Sequence, residues 1–510
     1  MSSAASSSPP QSLNHDDIRS IIIGLMLAIL LGALDQTIIS VALPKMAADL
    51  DGISLLAWVV SGYLIAMAVA TPIYGKLGDL YGRRIVLSSA IVLFLVASVA
   101  CALAPTMPVL VGARILQGLG GGGLISVAQA TIADVVSPRD RGRYQAYISG
   151  AFAVASVSGP VLGGVLTTYL SWRWVFWINL PIGLVALLIS RRALAKLHVP
   201  HVKRAVDYLG AGLLTAGLSA MLLAITRTGQ GTPWFDDINT WLIVITLVSL
   251  SAFVWHARRT AEPIIPLGLF RIRTVTISCL ILFIAFVQLV ALTVLVPLEL
   301  QMLTSVGADG AALRLIPLSL SVPLGALIGG RLMTRWGTFK HIQLTGALMA
   351  PVATFLLALS SPDSTFFTAL CLTFIGLGIG LQLPTSTVAI QNAVPFRHVG
   401  VATGVSAFCR SLGAAMGIAL LMAFLLGWLR AGANAFGDTL NGADIINSLI
   451  THAGAGNSSI DSTGLLQIAE QSFQNVYLLS AAIALLSIVL TLLLKNESLS
   501  EKVPESAQKA

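Results

Sequence analysis

Fourteen runs of mainly apolar residues dominate this sequence: 21–43, 57–77, 85–104, 110–133, 144–168, 174–190, 207–226, 239–255, 275–299, 311–333, 341–360, 365–388, 402–428 and 474–494. A run of about 20 such residues spans the hydrocarbon core of a bilayer. Backbone polar groups in lipid must be paired internally, and a helix does this within one segment. The expected fold is therefore an all-α membrane protein. Composition agrees, since only 10% of the 510 residues are charged, against about 25% in soluble domains. Disordered, nucleic-acid-binding and ordinary soluble classes are excluded on that ground. The first run is too long for a signal peptide and reads as the first span.

The basic residues orient the bundle. With both termini in the cytoplasm, 23 of the 30 Lys and Arg fall on inner segments and 4 on outer ones. The other three, Arg114, Arg314 and Arg410, lie within spans. Excess Lys and Arg on cytoplasmic loops is the rule for membrane proteins, so the net charge of +8 is read as topology. Trp172, Trp174 and Trp177 cluster at one expected outer boundary, where amphipathic rings prefer the interface. The long segment 429–473, rich in Gly, Ala, Asn and Ser, is expected outside as a connector. Four isolated cysteines and seven histidines in loops or tails give no disulfide framework or zinc site. No GKS/T phosphate loop is present, so ATP hydrolysis is unsupported and no cofactor or metal is expected.

An internal repeat divides the chain. At an offset of 255 residues, Gly75 meets Gly330, Lys76 meets Arg331, Leu77 meets Leu332, Tyr81 meets Trp336 and Gly82 meets Gly337. Gly159-Pro160-Val161-Leu162-Gly163 resembles Gly413-Ala414-Ala415-Met416-Gly417 at a similar offset. Two halves of the same topology explain both pairings, a known plan for transporters with a midplane substrate site. The expected organisation is a tail (1–20), a six-helix half (21–190), a cytoplasmic linker with two inserted helices (191–260), a second six-helix half (261–494) and a tail (495–510).

Five stretches carry a resemblance that covers essentially residues 20–495. They are Leu34 to Pro44 (LDQTIISVALP), Gly75 to Arg84, Arg114 to Gly122 (RILQGLGGG), Ser158 to Gly164 (SGPVLGG) and Trp172 to Gly183. In this order and spacing they resemble the major facilitator superfamily, in its fourteen-span drug/proton antiporter branch. The resemblance implies two six-helix halves plus two extra central helices. It implies a proton-driven exporter rather than an importer, the fifth-span stretch Gly159, Pro160, Gly163 and Gly164 being that branch's antiporter motif.

Charge inside a membrane is costly and usually functional. Only Asp35 and Glu299 among the 22 carboxylates lie within spans. Asp35, midway along the first, is the expected proton carrier or cation site. Arg114 does not titrate in a protein, so its expected role is to tune a neighbouring acid, with Gln117 sharing its hydrogen bonds. Glu299 is read either as a second acid of the cavity or as an acid at the outer interface. Asp35, Gln117 and Glu299 are the expected substrate contacts; Asp35, Arg114 and Glu299 are the expected proton-coupling set. Gly75, Gly78, Asp79, Gly82, Arg83 and Arg84 form an expected conformational latch. In it, Asp79 pairs with an arginine or with the N-terminus of a helix in another span.

The reading is a multi-pass protein of the cytoplasmic (inner) membrane that exports amphipathic, cationic compounds in exchange for protons. It is not an enzyme; its partners are small molecules, protons and the lipid bilayer, with no nucleic acid, and an adaptor protein is left open. A dedicated exporter of one metabolite and a non-transporting membrane sensor remain as alternatives.

Overall fold

The computed structural model describes residues 15–50, 55–137, 140–196, 207–229, 232–304, 308–361, 364–395, 398–435 and 462–495. Sixteen α-helices run through them. The first half comprises α1 (His15–Asp49), α2 (Leu56–Tyr81), α3 (Arg83–Ala102), α4 (Met107–Val135), α5 (Arg141–Tyr169), α6 (Trp174–Trp177) and α7 (Asn179–Ala193). Next come α8 (Tyr208–Gly229) and α9 (Asp237–Ala257). The second half holds α10 (Arg273–Leu303), α11 (Ala308–Leu313), α12 (Ile316–Trp336), α13 (Lys340–Ala358), α14 (Thr365–Ala393), α15 (Val399–Ala435) and α16 (Ser462–Leu493).

Among the described residues, thirteen segments are helical, long and apolar enough to cross a membrane. The fifth sequence run forms the 29-residue helix α5, which packs against α1 and α12. The expected connector 429–473 is shorter than its composition suggests, because α15 continues to Ala435 and α16 begins at Ser462. The rest of it, 436–461, lies outside the described residues, as do 1–14 and 496–510; the expected tail 1–20 is helical from His15 onward, because α1 extends beyond the apolar run.

Each half has its own apolar core. One first-half cluster gathers Leu25, Ile29, Leu87, Phe94 and Leu124; a second-half cluster gathers Leu292, Leu295, Ile375, Phe473 and Val476. Glycines set the spacing inside the first half. A Cβ on Gly122 of α4 would fall 2.6 Å from the Met67 carbonyl oxygen of α2, and one on Gly120 would fall 2.7 Å from the Phe94 backbone of α3. Small residues let membrane helices approach this closely, and α4 is thereby seated between α2 and α3.

The halves meet along two helix pairs, α2 with α15 and α5 with α12. At one crossing Gly75 lies against Gly400. At the other, a Cβ on Gly142 would fall 2.8 Å from the Gly330 carbonyl oxygen. Gly75 and Gly330 are the repeat-related glycines, so the duplicated segment makes the same kind of contact twice. Helix α8 packs on both α2 and α15. A further apolar cluster joins Val69 and Ala133 of the first half, Leu214, Leu218 and Phe253 of α8 and α9, and Val275 and Val401 of the second. The two inserted helices therefore lie at the seam between the halves.

Candidate functional site

The first half buries one charge pair. Arg114 Nη1 donates to Asp35 Oδ2 at 2.7 Å, with the two residues 2% and 0% exposed. The close seating of α4 beside α2 carries Arg114 to this position, and its Nε donates to the Val59 carbonyl at 3.2 Å. The guanidinium lies over the Tyr63 ring, 4.1 Å from its centroid. A desolvated cation on an aromatic face is a favourable contact.

The other Asp35 oxygen, Oδ1, accepts from Gln117 Nε2 and from Asn179 Nδ2, both at 2.9 Å. Gln117 Oε1 in turn accepts from Arg114 Nη1 at 2.7 Å. Ser98 Oγ accepts from Asn179 at 3.1 Å and from Gln117 at 3.3 Å, and donates to the Phe176 carbonyl at 2.9 Å. Three donors thus converge on one carboxylate from α4 and α7, the complement that an acceptor-only ionised group takes.

Asn179 and Ser98 are members of the network that sequence reading passed over. Asn179 lies within the Trp172–Gly183 stretch and opens α7 two residues before Pro181, a polar side chain at a helix start that offered a signal. Ser98 offered none.

Glu299 belongs to a different place. It is 9% exposed, and its Oε2 accepts from Tyr477 Oη of α16 at 2.7 Å, amid the second-half core. Asp35, Gln117 and Glu299 are all buried in this conformation, the first two inside the first half and the third inside the second.

The expected latch is tighter than a loop. Helices α2 and α3 are joined through Gly82 alone, whose φ of 86° is costly for any residue with a Cβ. Arg83 Nη2 donates to Asp79 Oδ1 at 2.6 Å, and Arg83 Nε to Asp134 Oδ2 at 2.6 Å. The remaining Asp79 oxygen accepts from the Val401 amide at 3.1 Å, in the first turn of α15. Asp79 therefore ties α3, through Arg83, to the second half. Gly78 faces the Arg83 guanidinium, where a Cβ would fall 2.6 Å from Nη1; Arg84 is half-buried beside it. Lys76 adds a second tie, its Nζ donating to Glu262 Oε2 at 2.9 Å.

In α5, Gly159 lies against the Thr37 side chain, and a Cβ on Gly163 would fall 2.6 Å from the Ile38 carbonyl oxygen. Thr37 Oγ1 donates to the Ala155 carbonyl at 2.9 Å. Gly164 is half-buried; the Pro160 side chain lies outside the described residues. These contacts clamp α5 to α1 within three residues of Asp35. Gly163→Val is expected to destabilise the protein by about 1–3 kcal/mol through overpacking, whereas Gly163→Ala costs less; thermal unfolding in detergent measures both.

Long apolar helices arranged in two halves about buried charge are the build of a multi-pass membrane transporter. The sequence model of the Major Facilitator Superfamily matches residues 25–418, and the chain belongs to that superfamily. An uncharacterized MFS-type transporter of Mycobacterium tuberculosis is 33% identical over 482 residues, covering 94% of this chain and 69% of that protein. The multidrug transporter protein MdtP of Bacillus subtilis is 33% identical over 407 residues, covering 79% of this chain and 75% of its own. The solved proton:xylose symporter XylE matches with a TM-score of 0.63 at 17% identity, over 95% of this chain and 98% of that one. At that identity the likeness is one of fold.

Proposed function

We propose that this protein is a proton-coupled antiporter that exports amphipathic, cationic compounds across the cytoplasmic membrane, with both termini inside. The observation that carries the reading is the Asp35–Arg114 pair, wholly buried and tied to two further polar side chains. Such a pair is weak support for stability, because the desolvation cost offsets the attraction. A functional role accounts for its presence. The relatedness to a multidrug transporter supports the substrate class.

The cycle follows from the contacts. A proton entering from outside neutralises Asp35 and loosens its hold on Arg114, Gln117 and Asn179. Helices α1, α4 and α7 then shift relative to one another. The Asp79–Val401 contact holds the halves together at the charged end until that shift breaks it. Rocking of the two halves about a midplane cavity exposes substrate alternately to either side. An apolar cavity with few fixed polar partners tolerates several substrates.

The test is transport in proteoliposomes with an imposed pH gradient and a broad panel of cationic dyes and drugs. Gradient-driven accumulation that collapses with a protonophore is the expected result. Substrate movement indifferent to the gradient, or none with any compound, defeats the proposal. Glu299→Gln is expected to weaken export of dications more than that of monocations, read as the ratio of initial rates. Equal losses on both assign Glu299 to packing with Tyr477.

A further inference from the structure

A cavity of about 790 Å³ lies where α9 ends and the chain turns toward the second half. Its wall includes Val254, Pro266, Leu267 and Phe270, and two arginines, Arg258 and Arg271, also line it. Both arginines are exposed. They come from separate elements, Arg258 from the end of α9 and Arg271 from the 3-10 turn Leu267–Arg271. Neither belongs to the Asp35 network or the Asp79 contact.

The chemistry of this cavity is divided: a mainly apolar lining that also includes two cations. Its place is also defined. Helix α9 is long and apolar enough to cross a membrane. Trp255, 59% exposed, stands in its last turn with the Arg259 guanidinium 4.1 Å from its ring centroid. Exposed tryptophan at a helix end marks the level of lipid headgroups. The same segment carries Glu262, bonded to Lys76 of α2, so the cavity lies at the end of the bundle where Asp79 joins the halves. Basic pockets between membrane helices at such a face suit anionic headgroups.

We infer that this cavity binds an anionic phospholipid, its phosphate between Arg258 and Arg271 and its chains along the Val254–Phe270 wall, and that occupancy steadies the charged-end closure through Glu262 and Lys76. A volume of this size accommodates a headgroup and the first part of its chains. The structural roles open to the two cations do not explain the pair. Arg258 follows α9 directly and suits its carbonyl end, but Arg271 ends the 3-10 turn Leu267–Arg271, where that argument does not reach. The inserted helices thereby acquire a role, as a lipid-sensing brace at the seam.

Native mass spectrometry of the full-length protein from nanodiscs of mixed phosphatidylglycerol and phosphatidylcholine tests the site. Wild type is expected to retain phosphatidylglycerol over phosphatidylcholine by on the order of tenfold, and R258Q/R271Q is expected to lose that preference. R258K/R271K controls for folding and is expected to keep most of it, and R259Q, outside the cavity wall, is expected to leave it intact. Selectivity surviving in R258Q/R271Q overturns the site. Equal competition by glycerophosphoglycerol or inorganic phosphate overturns the lipid as occupant in favour of a soluble phosphate compound. The coupling to closure rests on the efflux reading and has its own readout: phosphatidylglycerol raises the wild-type transport rate and leaves Glu262→Gln unmoved. Lipid retention is measured without transport, so failure of the site and failure of the efflux reading are distinguishable.

Discussion

Asp35→Asn abolishes gradient-driven export, and it also lowers the stability of the folded protein: that is the result expected from the buried pair. Removing the charge leaves Arg114 desolvated and without its carboxylate, and breaking a buried ion pair from one side costs about 3–5 kcal/mol. Thermal unfolding in detergent reads the second effect and proteoliposome transport the first. The double variant Asp35→Asn/Arg114→Gln separates them. With no cation left to strand, it is expected to recover most of the stability while transporting nothing. Full transport by Asp35→Asn refutes a proton-carrying role. Recovery of transport together with stability in the double variant reduces the pair to a structural one.

The second large effect is expected at Asp79. Its two oxygens serve Arg83 and the Val401 amide, so Asp79→Asn loses the ion pair with Arg83 and leaves the amide only a weaker, neutral acceptor. Hydrogen bonds to charged groups contribute about 1.5–3 kcal/mol. A loss of that size shifts a two-state balance by roughly tenfold or more. Spin labels near the charged ends of α2 and α15 are expected to report a larger population with the halves separated there, and turnover is expected to fall. An unchanged distance distribution with unchanged turnover argues against a latch.

The fold was legible because lipid imposes one strong rule. Runs of apolar residues of the right length become helices, and all the major helices were visible as such. What hydropathy could not show was where helices continue beyond the apolar part, as α16 does from Ser462. Nor could it show that the Asp79 segment is a near-continuous corner around Gly82. Of the site, charge was legible and neutral polarity was not. Asp35 and Arg114 stand out in an apolar chain, but Ser98 and Asn179 are ordinary residues until α3 and α7 bring them to the same carboxylate. The Val401 amide has no side-chain signature at all, and only its distance from Asp79 reveals it.

The doubled glycine crossing has unequal arms. Gly75 against Gly400 is flanked by Asp79, which bonds across to Val401. At the repeat offset, the place of Asp79 is taken by Thr334, whose hydroxyl donates to the Gly330 carbonyl of its own helix at 3.1 Å. Duplication supplied two seams of one shape, and among the described residues the bond from the Val401 amide to Asp79 fastens the first. On the proposed cycle both seams part at the charged end, and α2 on α15 acts as its clasp. The inserted helix α8, which packs on both arms of that clasp, is expected to move when it is released.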